Sequence, residues 1–107
     1  MIVEMRTYTL AVGATARYFK IYGEKGAPVQ KRILGHMVGY YSIEVGELNK
    51  VIHLWAYADM EDRARRRAEL WSDPEWLGYV KEIAGLVTAQ ENQILTPAPF
   101  FQLPPPA

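Results

Sequence analysis

VIHLWAYA, residues 51–58, is the stretch of sequence that decides the fold. Apolar, β-branched and aromatic side chains alternate along it, which is the pattern of a β-strand with two different faces. Residues 46–49, GELN, form a turn directly before it, and residues 36–45 have strand character. Two strands joined by a loop of about four residues indicate an antiparallel hairpin.

The segments on either side of this hairpin repeat one order of elements. Residues 2–10 alternate as a first strand, and a helix that Thr15 can cap follows, with an interruption near Pro28 and an end at Gly35. After the hairpin, Asp59 and Asp73 are helix N-caps, and residues 87–96 form a fourth strand. This order predicts an α+β protein, a ferredoxin-like βαββαβ fold with one four-stranded antiparallel sheet and helices on one face. The domain is expected at residues 1–97, with a proline-rich tail at residues 98–107.

Helices on one face leave the other face of the sheet to be covered by something else. We expect Ile52, Leu54 and Ala56 to lie under the helices, and His53, Trp55 and Tyr57 to lie on the opposite face. That face is too aromatic to be left in water, so we predict that two copies pack face to face into a dimeric α+β barrel. The register of the second strand stays open, because a slip by one residue exchanges its two faces.

Composition narrows the class of protein. Of 107 residues, twelve are basic and twelve acidic, so the formal net charge is zero, and there is no cysteine. Neutral charge argues against nucleic acid as a partner, and no segment is apolar enough to suggest a membrane partner. We therefore expect a cytoplasmic homodimer, with assembly beyond the dimer left open.

The candidate residues for a ligand cavity are assigned to the face opposite the helices, except Tyr40, whose face depends on the open register of the second strand. They are Arg6, Tyr8, Tyr40, His53, Trp55 and Tyr57. His53 can donate a hydrogen bond or move a proton, and Arg6 can hold a carboxylate or enolate. The structural alternatives are a hydrogen-bonded core histidine and an Arg6–Glu4 ion pair. We predict no metal site and no cofactor, a haem or iron role for His53 being the minor alternative.

Two further groups have structural explanations. The basic run Arg63, Arg65, Arg66 and Arg67 contains i,i+4 pairs with acidic residues, so a salt-bridged solvent face is expected. Trp71 and Trp76 have the character of core residues packed on the sheet, or of a ligand mouth. We find no nucleophile–base pair and no phosphate-binding loop that would identify a reaction.

Three stretches resemble the NIPSNAP family. They are Glu4-Met5-Arg6-Thr7-Tyr8-Thr9, the run from Gly46 to Tyr57 with Arg63–Arg67 and Asp73-Pro74-Glu75-Trp76, and Gln93-Ile94-Leu95-Thr96-Pro97-Ala98-Pro99-Phe100. The resemblance implies the dimeric α+β barrel and no established reaction. Because Arg6, His53 and Tyr57 are costly to bury for packing alone, we expect the barrel interior to bind a small, partly aromatic or acidic ligand. A non-catalytic oligomeric module and a cofactor-independent monooxygenase or isomerase are the alternatives.

Overall fold

The computed structural model describes residues 1–106 and contains four strands, four α-helices and one π-helical turn. The elements are β1 (Ile2–Leu10), α1 (Thr15–Ile21), a π-helical turn (Tyr22–Gly26), α2 (Ala27–Leu34), β2 (His36–Ser42), β3 (Lys50–Tyr57), α3 (Met60–Leu70), α4 (Pro74–Glu82) and β4 (Val87–Leu95). The strands form one antiparallel sheet in the order β2-β3-β1-β4. The predicted ferredoxin-like α+β fold is confirmed.

The helices of the second half begin at the residues that the sequence indicated. The Asp59 side chain accepts a hydrogen bond from the backbone N–H of Asp62, which caps α3. The Asp73 side chain accepts from the N–H groups of Glu75 and Trp76 at the start of α4, with Pro74 in the first turn. These caps fix where the two helices start above the sheet.

The helices cover the opposite face of the sheet from the one predicted. Val51, His53, Trp55 and Tyr57 are all buried, while Ile52 and Leu54 keep partial exposure. Arg63 of α3 donates to Glu4 of β1, so the even-numbered side chains of β1 lie on the helix side. The assignment of His53, Trp55 and Tyr57 to the face away from the helices was therefore wrong.

The physical reason for this reversal lies in the inner surfaces of the helices. The helical residues Tyr18, Tyr22, Trp76 and Tyr79 are buried and aromatic. Large rings fill the space between a helical layer and a sheet, and the aromatic face of β3 meets them there. Alternation separates the two faces of a strand without showing which one the helices contact. The smaller side chains Met5, Thr7, Ile52 and Leu54 consequently form the outer face, which we call the open face.

An irregularity in β2 sets the position of Tyr40. The pairing of β2 with β3 shifts between Met37, opposite Trp55, and Gly39, opposite Leu54. The extra residue is a β-bulge, and after it Tyr40 lies directly opposite His53. Strand β2 ends at Ser42, three residues earlier than the sequence indicated.

Within residues 1–106, no helix is long and apolar enough to cross a membrane.

Candidate functional site

A small cavity lies between the helices and the helix side of the sheet, with a volume of about 60 Å³. Its wall is mainly aromatic, and we call it the aromatic cavity. The aromatic lining residues are Tyr8, Tyr18, Tyr22, Tyr40, His53, Trp71, Trp76 and Tyr79. This space is large enough for a few water molecules. Trp71 is 47% exposed and Gln90 is exposed, so these two residues mark the side on which the cavity meets solvent.

Three of the six candidate residues line this cavity. Tyr8, Tyr40 and His53 come together from three neighbouring strands, and the Tyr40 and His53 rings stack with centroids 4.5 Å apart. Tyr8 meets His53 edge-on at 4.8 Å. Arg6, Trp55 and Tyr57 lie on the same side of the sheet but do not line the cavity. The site is therefore within one chain, between its two layers, and not on the open face.

His53 is held in one tautomer by its neighbour. Trp55 donates its indole Nε1–H to His53 Nδ1 over 2.7 Å, and both side chains are buried. Because Nδ1 accepts, the ring proton of the neutral imidazole is on Nε2. His53 Nε2 is buried and has no hydrogen-bond partner among the described residues. The side chain thus presents an unused N–H donor and no basic nitrogen.

Burial also keeps His53 uncharged. The pKa of His53 is lowered to about 3, mainly by removal from water and also by the charge of Arg6, which Glu4 only partly offsets. We accordingly expect His53 to stay neutral from about pH 5 to pH 8, with the proton on Nε2. Nitrogen NMR of labelled histidine checks this, and the same protein in urea is the control, where the ring should titrate near its ordinary pKa of about 6.5. A His53 titration with a midpoint above about pH 5 would contradict the assignment.

Trp76 supplies a second donor of the same kind. Its indole Nε1 is buried and has no hydrogen-bond partner in the part of the chain that the structure describes. Trp76 comes from the first turn of α4, where the Asp73 cap fixes the backbone, and its ring packs on Tyr79 with centroids 4.9 Å apart. The great majority of buried polar groups in proteins have a hydrogen-bond partner. Two unpaired N–H donors on residues lining one cavity therefore point to an acceptor that binds there.

The remaining wall is a cluster of packed tyrosines. The hydroxyls of Tyr18 and Tyr40 are 2.6 Å apart, and Tyr22 donates to Gln30 over 2.6 Å. Burial raises the pKa of Tyr18 to about 12, and it raises the pKa values of Tyr22, Tyr40 and Tyr79 as well, so all four are neutral phenols at physiological pH. This wall offers ring faces and neutral hydroxyls to a ligand.

Gly26 allows the π-helical turn to pack closely against α4. A Cβ at this position would lie 2.8 Å from ring atoms of both Tyr22 and Tyr79. The turn that contains Gly26 is a π-helical segment, a feature that is frequent at functional sites. The absence of a side chain here lets the two tyrosines reach the cavity.

A charged cluster adjoins the cavity on the α3 side. The fully buried Glu4 accepts with Oε2 from Arg6 at 3.2 Å, from Arg63 at 2.7 Å and from Asn92 at 2.7 Å. Burial alone raises the pKa of Glu4, but the bonds from Arg63 and Asn92 and the charges of both arginines bring it below its usual value. Arg6 also donates to the hydroxyl of Tyr8 at 3.1 Å. Its engagement with Glu4 corresponds to the ion pair considered above as its structural role.

Sequence reasoning did not distinguish two of the α3 arginines from the other two. Arg65 and Arg66 pair with Asp62, as a salt-bridged surface would. Arg63 instead reaches Glu4, and Arg67 is half-buried, with a pKa that burial and the charge of Arg6 lower. A signal was present, because residues 63 and 67 are one helical turn apart and share the face of α3 that carries buried Leu70. Among residues 1–106 no three His, Asp or Glu side chains are grouped as metal ligands.

The fold and the cavity define the class of protein. It is a ferredoxin-like α+β protein with a small aromatic cavity between sheet and helices. The chain belongs to the NIPSNAP family, whose model matches residues 3–102.

Solved structures of family members are closely similar. A protein from Agrobacterium tumefaciens is 43% identical with a TM-score of 0.94, over 96% of this chain and 99% of that chain. A NIPSNAP-like domain protein from Burkholderia xenovorans is 42% identical with a TM-score of 0.94, over 99% of this chain and 93% of that one.

More distant proteins share the fold or part of their length. The Putative NipSnap protein of Caenorhabditis elegans is 28% identical over 95% of this chain, which spans only 19% of that relative. The chain covers 41% of the Dictyostelium discoideum homologue. A putative antibiotic biosynthesis monooxygenase from Nitrosomonas europaea has a TM-score of 0.67 at 11% identity, over 91% of this chain and 98% of that one. At that identity the likeness concerns the fold alone.

Proposed function

We propose that the protein binds a small ring-containing ligand whose carbonyl or enolate oxygen enters the aromatic cavity. The observation that carries this proposal is the pair of buried, unpaired donors, His53 Nε2 and Trp76 Nε1. A buried donor without an acceptor destabilises a protein by about 1–3 kcal/mol, so a ligand oxygen that accepts from one of these donors is bound favourably.

The size and wall of the cavity define what can bind. A volume of about 60 Å³ accommodates the oxygen and the atoms next to it. We expect the ligand's ring to lie at the solvent-exposed side of the cavity, beside Trp71 and Gln90. Trp71 is held there by an edge contact to Trp76, with ring centroids 6.0 Å apart. The donors would also stabilise the negative charge of an enolate. Enolate formation is the step that a cofactor-independent oxygenase or isomerase requires.

Titration with acetophenone tests this proposal, with ethylbenzene as the analogue that lacks the oxygen. In proton–nitrogen NMR spectra, acetophenone should move the indole Nε1–H signal of Trp76 downfield and bind at least about tenfold more tightly than ethylbenzene. Trp76→Phe removes the donor and should weaken acetophenone binding about tenfold.

Tyr41→Phe is the control, since it removes an exposed hydrogen-bond donor opposite Ile52, on the face of the sheet away from the cavity, and should change the affinity little. Equal binding of the two compounds, or no binding of either, would count against the proposal. It would favour the alternative of a non-catalytic oligomeric module.

We also propose that the protein is a homodimer through the open face. The central strands present Met5, Thr7, Ile52 and Leu54 there, partly exposed, and Tyr41 of β2 is 59% exposed on the same side. A sheet face of apolar and small polar side chains suits packing against a second sheet. The proposal keeps the predicted dimer and moves its interface to the face opposite the cavity.

A further inference from the structure

Gln30 is a buried polar residue in the wall of the aromatic cavity. It lies on α2, lines the cavity and is only 2% exposed. Its neighbours Val29, Ile33 and Leu34 on the same helix are buried and apolar. Moving a carboxamide from water into such surroundings is unfavourable unless its groups form hydrogen bonds. The hydrogen bonds of Gln30 therefore indicate its role.

Tyr22 occupies one end of this carboxamide. The Tyr22 hydroxyl donates to Gln30 Oε1 over 2.6 Å, which is the one hydrogen bond of the Gln30 side chain within residues 1–106. A glutamine side chain has a carbonyl oxygen that accepts hydrogen bonds and two amide N–H groups that donate them. Because Tyr22 uses the oxygen, the N–H groups on Nε2 are the end of the side chain that remains for a ligand.

Gln30 and His53 reach the cavity from opposite layers of the fold. His53 is on β3, and its ring stacks on the ring of Tyr40. The Tyr40 ring packs on Tyr22 with centroids 4.6 Å apart, and Tyr22 in turn binds Gln30 on α2. Two tyrosine rings thus lie between the two side chains in this series of contacts. A ligand in the cavity therefore meets the two donors with different atoms.

The polar side chains of the site offer donors, while their nitrogen and carbonyl acceptors are in use. His53 Nδ1 accepts from Trp55, and Gln30 Oε1 accepts from Tyr22. An indole has a donor only, so Trp76 adds no acceptor. A ligand with more than one acceptor oxygen complements this set of donors.

We propose that Gln30 is a specificity-determining residue of the aromatic cavity and that its amide N–H groups bind a second carbonyl oxygen of the ligand. This inference rests on the proposed function and specifies its ligand class: a small ring compound with two carbonyl groups at its buried end, of the 1,3-diketone type. An analogue without the second oxygen leaves the Gln30 donors unpaired in the occupied cavity, which is the basis of the selectivity.

The test compares 1-phenylbutane-1,3-dione with butyrophenone, which has the same carbon skeleton and lacks the second oxygen. By calorimetric titration, the diketone should bind the unmodified protein at least about tenfold more tightly than butyrophenone. In proton–nitrogen NMR spectra, it should also move the side-chain N–H signals of Gln30 further than butyrophenone does. Gln30→Met keeps the length of the side chain without the donor, and it should remove the preference for the diketone.

Gln102→Met is the matched control, since Gln102 is exposed in the C-terminal segment and does not line the cavity. It should keep the preference. Gln30→Met leaves the Tyr22 hydroxyl without its acceptor, so a second comparison uses Tyr22→Phe and Tyr22→Phe/Gln30→Met. The double variant replaces both partners of the hydrogen bond by apolar groups, which is close to neutral for stability. The preference should be present in Tyr22→Phe and absent from the double variant.

The outcomes separate this inference from the proposed function. Equal affinities of the two ketones for the unmodified protein, or the same preference in Gln30→Met as in Gln102→Met, would overturn the role of Gln30 even if acetophenone still binds. Loss of the preference in Gln90→Met but not in Gln30→Met would also overturn it, because the second oxygen would then lie at the exposed side of the cavity. If acetophenone does not bind but the diketone binds and is lost in Gln30→Met, the role of Gln30 is supported and the carbonyl contact with Trp76 is wrong.

Discussion

Leu54→Glu is expected to convert the protein from a dimer into a folded monomer. Leu54 lies on the open face of the central strand β3, directly opposite Met5, and is only partly buried within one chain. In a dimer through this face, a carboxylate at residue 54 would be buried without a partner, which costs about 3–5 kcal/mol. The dissociation constant should rise more than about a hundredfold, since each 1.4 kcal/mol is a factor of ten. Light scattering should change from twice the chain mass of 12.2 kDa to the chain mass itself.

Val45→Glu is the control for this experiment. Val45 is 90% exposed and follows the end of β2, away from the sheet face. The Val45→Glu substitution introduces the same charge as Leu54→Glu, also in place of an apolar side chain, and the dimer should persist. A protein that is monomeric before any substitution, or a Leu54→Glu variant that stays dimeric and folded, would rule out the open face as the interface.

Glu4→Gln should lower the free energy of unfolding by about 3–5 kcal/mol, because it removes the one carboxylate that compensates the partly buried Arg6 and Arg63. For a domain of this size the melting temperature should fall by more than about 10 °C. Calorimetry measures both quantities. Glu69→Gln, on the exposed side of α3, is the control and should change stability by less than about 0.5 kcal/mol. A Glu4→Gln variant as stable as Glu69→Gln would show that the cluster is not held by this charge.

The pH dependence of the free energy of unfolding distinguishes the contribution of Glu4 from that of His53. The pKa of Glu4 is lowered in the folded protein, so its contribution to stability is present above its ordinary value of 4.5 and is lost as the pH falls through the folded value. The difference between Glu4→Gln and the unmodified protein should therefore shrink below about pH 4.5. His53 has a lowered pKa of about 3, so the unfolded chain takes up its proton first. Both proteins should lose stability from about pH 6.5 downward for that reason.

The candidate site could be predicted only in part. Tyr8, Tyr40 and His53 were selected as aromatic or titratable residues on strands, and the structure brings them to one cavity. The helix residue Trp76 was considered core or a ligand mouth, and the donor that it adds is visible only once its indole is seen without a partner. Arg67 was assigned to a solvent face, because nothing local distinguishes it from Arg65. Its partial burial depends on where α3 crosses the sheet.

Local patterns by themselves determined the elements and their order. Alternation in residues 2–10 and 51–58 produced β1 and β3, and Asp59 and Asp73 fixed the starts of α3 and α4, because side-chain period and capping act within a few residues. Only the tertiary structure decided which face of the sheet the helices contact, since both faces of β3 are apolar enough to be buried. It also decided that Tyr40 lies opposite His53, because one extra residue in β2 shifts the register and exchanges the faces of the strand. The cavity and its two unpaired donors follow from those two choices, and both depend on contacts between residues far apart in the chain.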